Sequence, residues 1–259
     1  MQKLKENYGS WALVTGATDG IGLAIAKALA KHGINLVLIG RREALLRQIA
    51  DEISSQSKIE TLTIPMDVGQ ENATKMIINK TKDLEIGLFI AAAGFGSSGE
   101  FSKSDLANET NMIDVNCKAV VEQCHHFSNL MIKNKRGGII LFSSLVAFQG
   151  TPYSATYSAT KAFIQNFAEA LHFELKPYGI DVLSSAPGPV NTGFAKRAKM
   201  NLGSAASPDE VAQVTLNAIG NSVTVRPGFL AKFLGYSLAT LNRYGRIQVM
   251  KKIMSGMIK

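Results

Sequence analysis

Three side chains in this sequence have the types and spacing that proton transfer needs. Tyr157 and Lys161 stand four apart in Tyr157-Ser158-Ala159-Thr160-Lys161, and Ser144 precedes the tyrosine by 13 residues. On a helix, positions i and i+4 share a face. A phenol of pKa ~10 exchanges protons poorly at neutral pH. A lysine ammonium beside it favours the phenolate and lowers that value. A serine hydroxyl can donate to the same substrate oxygen and fix it. Such a unit suits proton exchange at a carbonyl or alcohol oxygen while hydride moves at the adjacent carbon.

Hydride needs a carrier, and a second motif supplies a place for one. Thr15-Gly16-Ala17-Thr18-Asp19-Gly20-Ile21-Gly22 lies between an apolar run at 11–15 and an amphipathic stretch at 21–32. Glycines 16, 20 and 22 remove Cβ atoms where a backbone must turn sharply, approach a pyrophosphate and pack on a sheet. A helix starting there offers free N–H groups and a partial positive charge to phosphate. About 20 residues on, an NAD site needs a carboxylate for the ribose 2′-hydroxyl. This chain has Gly40-Arg41-Arg42 instead. Guanidinium groups suit a 2′-phosphate, so the expected cofactor is NADP(H). Asp19 weakens that reading slightly, because a second basic residue near the turn would have supported it.

The elements that must position these groups alternate along the chain. Strands are expected at 11–15, 35–39, 61–65, 87–93, 138–143, 180–185 and 222–226. Helices are expected at 21–32, 43–54, 70–82, 108–133 and 156–176, the last with Phe163, Phe167, Ala170 and Leu171 facing inward. Ser207-Pro208-Asp209-Glu210 starts a further helix running to about residue 220, with a serine cap, proline at the first position and glutamate three after the cap. Repeated strand–helix–strand units predict an α/β fold, an open, doubly wound parallel sheet with helices on both faces. Residues 1–226 read as the catalytic body and 227–259 as a C-terminal helical extension.

Taken together, Thr15-Gly16-xxx-Gly20-x-Gly22, Ser144 and Tyr157-xxx-Lys161 resemble the short-chain dehydrogenase/reductases over residues 9–226. Gly94-Phe95-Gly96-x-x-Gly99-x-Phe101 is similar to the branch that reduces 3-oxoacyl chains and 17-ketosteroids. The resemblance implies a Rossmann-type seven-stranded sheet of order 3-2-1-4-5-6-7 and an NADP-dependent carbonyl reductase. Tyr157 would protonate the substrate oxygen, Ser144 would orient it, and Lys161 would hold the nicotinamide ribose. Asn116 would support a water chain from Lys161 to solvent. Thr18, Asp19 and Ile21 in the glycine turn, Asp67, Val68, Ala93, Gly94, Pro187, Gly188, Val190 and Thr192 would complete the cofactor site. It also implies a homodimer or homotetramer pairing through the helices after strands four and five, and a segment at 194–203 closing over substrate. Where the family has Asn-Asn-Ala-Gly, this chain has Ala91-Ala92-Ala93-Gly94, so two hydrogen-bonding side chains are lost from the end of strand four. A cofactor-binding regulator without turnover and a lipid-surface binding protein are the alternative functions.

Composition bounds the rest. With 46% hydrophobic and 19% charged residues, the 259-residue chain has material for a full core. Its only cysteines, Cys117 and Cys124, cannot form a disulfide framework and read as reduced thiols of a cytoplasmic protein. With His125 and His126 they make a conceivable metal cluster, but consecutive helical residues point ~100° apart, so helix packing is the expected role and no metal is expected. No apolar run reaches the ~18–20 residues of a membrane span, and the polar start is unlike a signal peptide. The net charge of +8 is uneven: positions 1–210 hold 21 basic and 20 acidic residues, and no acidic residue follows Glu210. No nucleic-acid-binding motif accompanies that charge, so no such partner is expected. The extension alternates apolar residues with Lys232, Arg243, Arg246, Lys251 and Lys252. It reads either as a helix pair resting on anionic lipid or as one packing on protein. Phe95, Gly96, Phe148, Gln149 and Tyr153 are further candidates for a hydrophobic substrate pocket.

Overall fold

Alternation along the first strands decides the layering. The computed structural model describes residues 3–198 and 205–258. In chain order these form α1 (Lys3–Tyr8), β1 (Trp11–Thr15), α2 (Gly20–Lys31), β2 (Asn35–Gly40), α3 (Glu43–Ser57), β3 (Thr61–Pro65), α4 (Ala73–Thr81) and β4 (Ile86–Ala91). Then follow α5 (Leu106–Ile113), a π turn (Asp114–Lys118), α6 (Ala119–Asn134), β5 (Gly137–Phe142), α7 (Ala155–Leu175), β6 (Ile180–Ser185), α8 (Gly193–Arg197), α9 (Pro208–Ala218), β7 (Thr224–Val225), α10 (Phe229–Ala239) and α11 (Arg243–Met257). Val14, Leu36 and Leu38 join a core with Ile25, Leu29, Leu46 and Val211. Their strand neighbours Leu13, Val37 and Ile39 join another with Phe89, Met112, Phe127 and Ile164. Successive side chains point to opposite faces, so a strand apolar at every position must be covered on both.

All seven strands are parallel, in the order β3-β2-β1-β4-β5-β6-β7. The order reverses between β1 and β4, which opens a crevice beyond their carboxyl ends where ligands bind in such sheets. The glycine turn leaves β1 at that crevice, Ser144 follows β5 there, and Tyr157 starts α7 beside it. Ser207 caps α9 as expected: its hydroxyl accepts from the Glu210 amide at 3.1 Å, with Pro208 at the first position.

Several boundaries and faces differ from the sequence reading. The helix expected at 108–133 is two helices joined by the π turn. The helix expected at 70–82 begins only at Ala73, because Asn72 takes a left-handed φ of 61°. Strand four ends at Ala91, and strand seven is only two residues long. Helix α1 was not anticipated; it is anchored by the Tyr8 hydroxyl donating to Asp181 at 2.8 Å. The inward face of α7 is also corrected. Phe163 and Ala170 are exposed, while Gln165, Ala168 and His172 are buried. Polar residues turn inward because β6 and β7 offer them partners. Gln165 accepts from Ser184 and donates to Thr224, each at 2.7 Å, and His172 Nδ1 meets the Val182 carbonyl at 2.8 Å.

Candidate active site

The glycine turn forms one end of an open cleft of about 610 Å³. Gly16 has φ +70°, and a Cβ there would lie 2.8 Å from the Ala93 backbone. A Cβ on Gly22 would strike the Gly16 carbonyl. These glycines let β1, α2 and the end of β4 meet without a side-chain layer between them. Asp19 caps α2: its carboxylate accepts from the Gly20 amide at 2.7 Å and from the Gly193 amide at 3.2 Å. It thereby joins the glycine turn to the segment after β6. At the end of β2, the Arg42 guanidinium donates to the Thr18 carbonyl and hydroxyl, both at 3.1 Å. Arg41 pairs with Asp67 at 3.3 Å. Arginines, not a carboxylate, are the first two residues after β2, where a ribose diol would need an acidic side chain. A dinucleotide fits this donor set: amides at the α2 N-terminus for the pyrophosphate and two guanidinium groups for a further phosphate.

The other end of the cleft carries the proton-transfer groups. Ser144, Tyr157 and Lys161 all line it. Ser143 donates to the Lys161 carbonyl at 3.0 Å, and the Leu145 amide donates to the Pro187 carbonyl at 2.9 Å, which fixes Ser144 between α7 and the segment after β6. Burial pushes the Tyr157 phenol up to about 12, and the Ser144 hydroxyl beside it draws the value partly back. Lys161 is shifted the opposite way, to about 8, because burial disfavours its charge. Its Nζ donates to the Phe142 carbonyl at 2.7 Å and sits 5.7 Å from the centre of the Tyr157 ring. The expected lowering of the phenol by the ammonium is not among the causes of its shift: burial raises it, and the Ser144 hydroxyl is what draws it down.

Every expected cofactor residue lines the cleft, from Gly16, Thr18, Asp19, Gly20, Ile21 and Gly22 through Arg41, Arg42, Asp67, Val68, Ala93 and Gly94 to Pro187, Gly188, Val190 and Thr192. Asn116 is placed differently. It is buried behind the wall, at the π turn, where its side-chain oxygen accepts from the Phe95 amide at 3.1 Å. Its amide nitrogen donates to the Phe95 carbonyl at 2.9 Å and the Thr160 hydroxyl at 3.1 Å. It positions the segment after β4 against α7. That segment lacks the family's two asparagines, and Asn116 together with Thr15, which accepts from the Ala93 amide at 3.0 Å, ties it down. Its side-chain oxygen and the Lys161 Nζ both lie within 4 Å of where a Cβ on Gly94 would stand.

Of the extra pocket candidates, Phe95 lines the cleft, and Gly96 lies where a Cβ would meet both Phe194 and Tyr157. Phe148 lies instead under Arg226, 4.4 Å from its guanidinium. Of the expected closing segment 194–203, residues 199–203 fall outside the described residues. Phe194 packs on Tyr157 with ring centres 5.3 Å apart. Arg197 lines the cleft above Phe95; burial and the nearby Arg41 and Arg42 lower its pKa. Sequence reasoning did not place Arg197 at the cofactor end, nor the wall made by Leu230, Leu234, Met250, Ile253, Met254 and Met257. An inward apolar stripe at helical spacing was the available signal, but it does not say what the stripe faces.

Of the two placements that its composition allowed, the extension takes up packing on protein with one face, and its other face stays exposed. Its inner face packs on the body, with Ala231, Leu238, Met250 and Met254 buried, while Phe229 and Tyr244 remain outside. No described helix is long and apolar enough to cross a membrane. Cys117 and Cys124 are buried free thiols, and burial raises the pKa of both.

The sequence profile of the short chain dehydrogenase family matches residues 10–202. A 7beta-hydroxysteroid dehydrogenase of Clostridium sardiniense is 30% identical over 230 residues, covering 87% of this chain and 88% of the relative. The human very-long-chain 3-oxoacyl-CoA reductase is 35% identical over 218 residues, 82% of this chain and 69% of that protein. Among solved structures, a 7beta-hydroxysteroid dehydrogenase superposes with a TM-score of 0.88 at 28% identity, covering 95% of this chain and 98% of that one. A short-chain dehydrogenase from Sphingobium yanoikuyae in complex with NADPH gives 0.80 at 25% identity, over 89% of this chain and 93% of its own.

Proposed function

Since the chain belongs to the short-chain dehydrogenase family, and so is an oxidoreductase, we propose that it uses NADP(H) to interconvert a hydrophobic ketone and its secondary alcohol, with steroid-like ring ketones and long 3-oxoacyl chains as the substrate classes. One observation carries this reading: Ser144, Tyr157 and Lys161 line the same cleft as the glycine turn and the Arg41–Arg42 pair.

The bound dinucleotide supplies the hydride. The chain's own groups do the rest. Tyr157, neutral at physiological pH, holds the proton that the substrate oxygen receives. Ser144 donates to that oxygen and keeps it facing the phenol. Lys161, on the same face of α7, holds the ribose and presents a positive charge to any phenolate that forms. Arg41 and Arg42 hold the 2′-phosphate, and the α2 amides hold the pyrophosphate. Asn116 acts through Phe95 and Thr160 and keeps the wall in register. Phe95, Phe194 and the methionines of α11 exclude water from the carbonyl. The substrate class follows from that apolar lining and from the relatives' activities.

The protein acts as a homo-oligomer in the cytoplasm. Exposed Val121 on α6 and Phe163 and Phe173 on α7 support subunit contact through these two helices. The basic extension supports peripheral contact with a membrane surface. The central test is consumption of NADPH and of NADH with a panel of steroid ketones and 3-oxoacyl thioesters, comparing wild type with Tyr157→Phe. Loss of about 10²–10⁴ in kcat at unchanged NADPH affinity is expected. Equal rates in the two proteins would overturn the mechanism.

A further inference from the structure

The C-terminal helix pair has two unlike sides. On α10, Leu230 and Leu234 line the cleft and Ala231 and Leu238 are buried. The opposite side carries Phe229, Phe233 and Tyr236, four and three residues apart and therefore stacked along one face. They are 81%, 57% and 71% exposed, and the rings of Phe229 and Phe233 lie parallel with centres 6.1 Å apart. Helix α11 repeats the division: Met250, Ile253, Met254 and Met257 line the cleft, and Tyr244 is 72% exposed. The outward charges have one sign. Lys232, Arg243, Lys251 and Lys252 are exposed, and the sequence has no carboxylate side chain after Glu210.

Neighbouring exposed aromatic rings on a soluble surface mark a contact. Aromatic rings beside lysines and arginines match the headgroup region of an anionic bilayer, where the ring is half-wet and the cation meets phosphate. A second copy meeting this face through a twofold axis would set lysine and arginine against lysine and arginine with no carboxylate among them. We propose that the outer face of α10 and α11 docks on an anionic lipid bilayer, and that the hydrophobic ketone passes from that bilayer into the cleft past the same helix pair. The lipid-facing and cleft-lining surfaces are then two sides of one helical layer. The entry route rests on the reading of the chain as a reductase of hydrophobic ketones; the docking does not.

The test uses the full chain with NADPH and vesicles of phosphatidylcholine alone or with about a third phosphatidylserine. Wild type is expected to co-sediment with the anionic vesicles about tenfold more than with the neutral ones, and to be released by salt. The triple variant Phe229→Ser, Phe233→Ser, Tyr236→Ser is expected to bind anionic vesicles at least about tenfold more weakly. It should keep its melting temperature and its rate on a water-soluble ketone, yet lose rate on a long-chain 3-oxo ester dissolved in the vesicles. A second variant, Lys232→Glu, Lys251→Glu, Lys252→Glu, should lose anionic vesicle binding without touching a ring. Absence of sedimentation, equal sedimentation with both vesicles, or unchanged binding in the two variants would overturn the docking. So would a drop in oligomer size in the triple variant with vesicle binding intact, which would make the face a subunit contact. Unchanged rate on the vesicle-borne ester despite lost binding would overturn the entry route. If no ketone is reduced by any form of the protein, the proposed activity fails while the sedimentation result still stands.

Discussion

The two walls of the cleft face the same space but are held in opposite ways. Around the glycine turn, backbone lies on backbone: the missing Cβ of Gly16 would sit 2.8 Å from Ala93, and Asp19 joins two loops through their amides. Across from it, the wall from α10 and α11 is leucine, isoleucine and methionine, with no side-chain hydrogen bond to fix its shape. The first wall admits one ligand geometry. The second can repack around ligands of differing outline, because methionine has three rotatable bonds and no strict shape. A fixed cofactor end and an adaptable substrate end are what a reductase of bulky apolar ketones needs.

That contrast can be broken by substitution. Gly22→Ala should have the largest effect, since a Cβ there meets the Gly16 carbonyl and neither backbone can yield cheaply. A cost of about 1–3 kcal/mol is expected, lowering dinucleotide affinity by up to roughly a hundredfold, as read by titration of NADPH fluorescence and by the melting temperature. Intact affinity would show that the turn is as forgiving as the opposite wall. Next, Arg41→Ala should weaken NADPH by about tenfold or more, the worth of a charge-assisted hydrogen bond, while leaving NADH unchanged. Equal losses for both would show that this guanidinium does not read the phosphate.

The pH profile sharpens the comparison from the catalytic side. Burial lowers Lys161 to about 8 and raises Tyr157 to about 12. Below pH 8 the lysine is charged and the phenol protonated, the pair that reduction requires. Above it the ammonium is lost first, so the reduction rate should fall by roughly tenfold by pH 9. Lys161→Arg, permanently charged, should move that fall out of the range 7–9. The smallest effect is expected from Met254→Leu: under about 1.5 kcal/mol in stability, and KM changes that differ from ketone to ketone. A uniform loss on all ketones would mean that this wall is as strict as the glycine turn.

The groups that the sequence revealed were those whose type and spacing are set by chemistry over a few residues. Glycines at 16, 20 and 22, the Tyr157–Lys161 step and the Ser207-Pro208-Asp209-Glu210 start depend on local backbone geometry, and each lies where the spacing implied. Strands β1 and β2 were legible as short apolar runs bounded by turns, and β3 and β6 as short stretches rich in β-branched and apolar residues between helical segments. What escaped depends on partners distant in sequence. The inward face of α7 was misread because Gln165 and His172 look like surface residues until Ser184, Thr224 and the Val182 carbonyl are brought to them. Arg197 reaches the neighbourhood of Arg41 and Arg42 only once the finished sheet sets β6 three strands from β1, with β4 and β5 between them. Helix α1 carries no long apolar pattern; Leu4 and Tyr8 pack it on the core, and Tyr8 ties it to Asp181, 173 residues away.

The π turn at Asp114–Lys118 divides a continuous rod into two compass bearings. Each residue of an α-helix advances the side-chain direction by ~100°, and one wider turn slips that phase by about one residue. Upstream, α5 directs Glu109 toward Ser97, whose hydroxyl donates to it at 2.7 Å; downstream, α6 directs Phe127 onto Phe89 with ring centres 5.0 Å apart. Removing a single residue from this stretch would restore a regular spiral and swing one half away from its target. The length of the segment between these two contacts, as much as its composition, is thus a constraint on how this chain can vary.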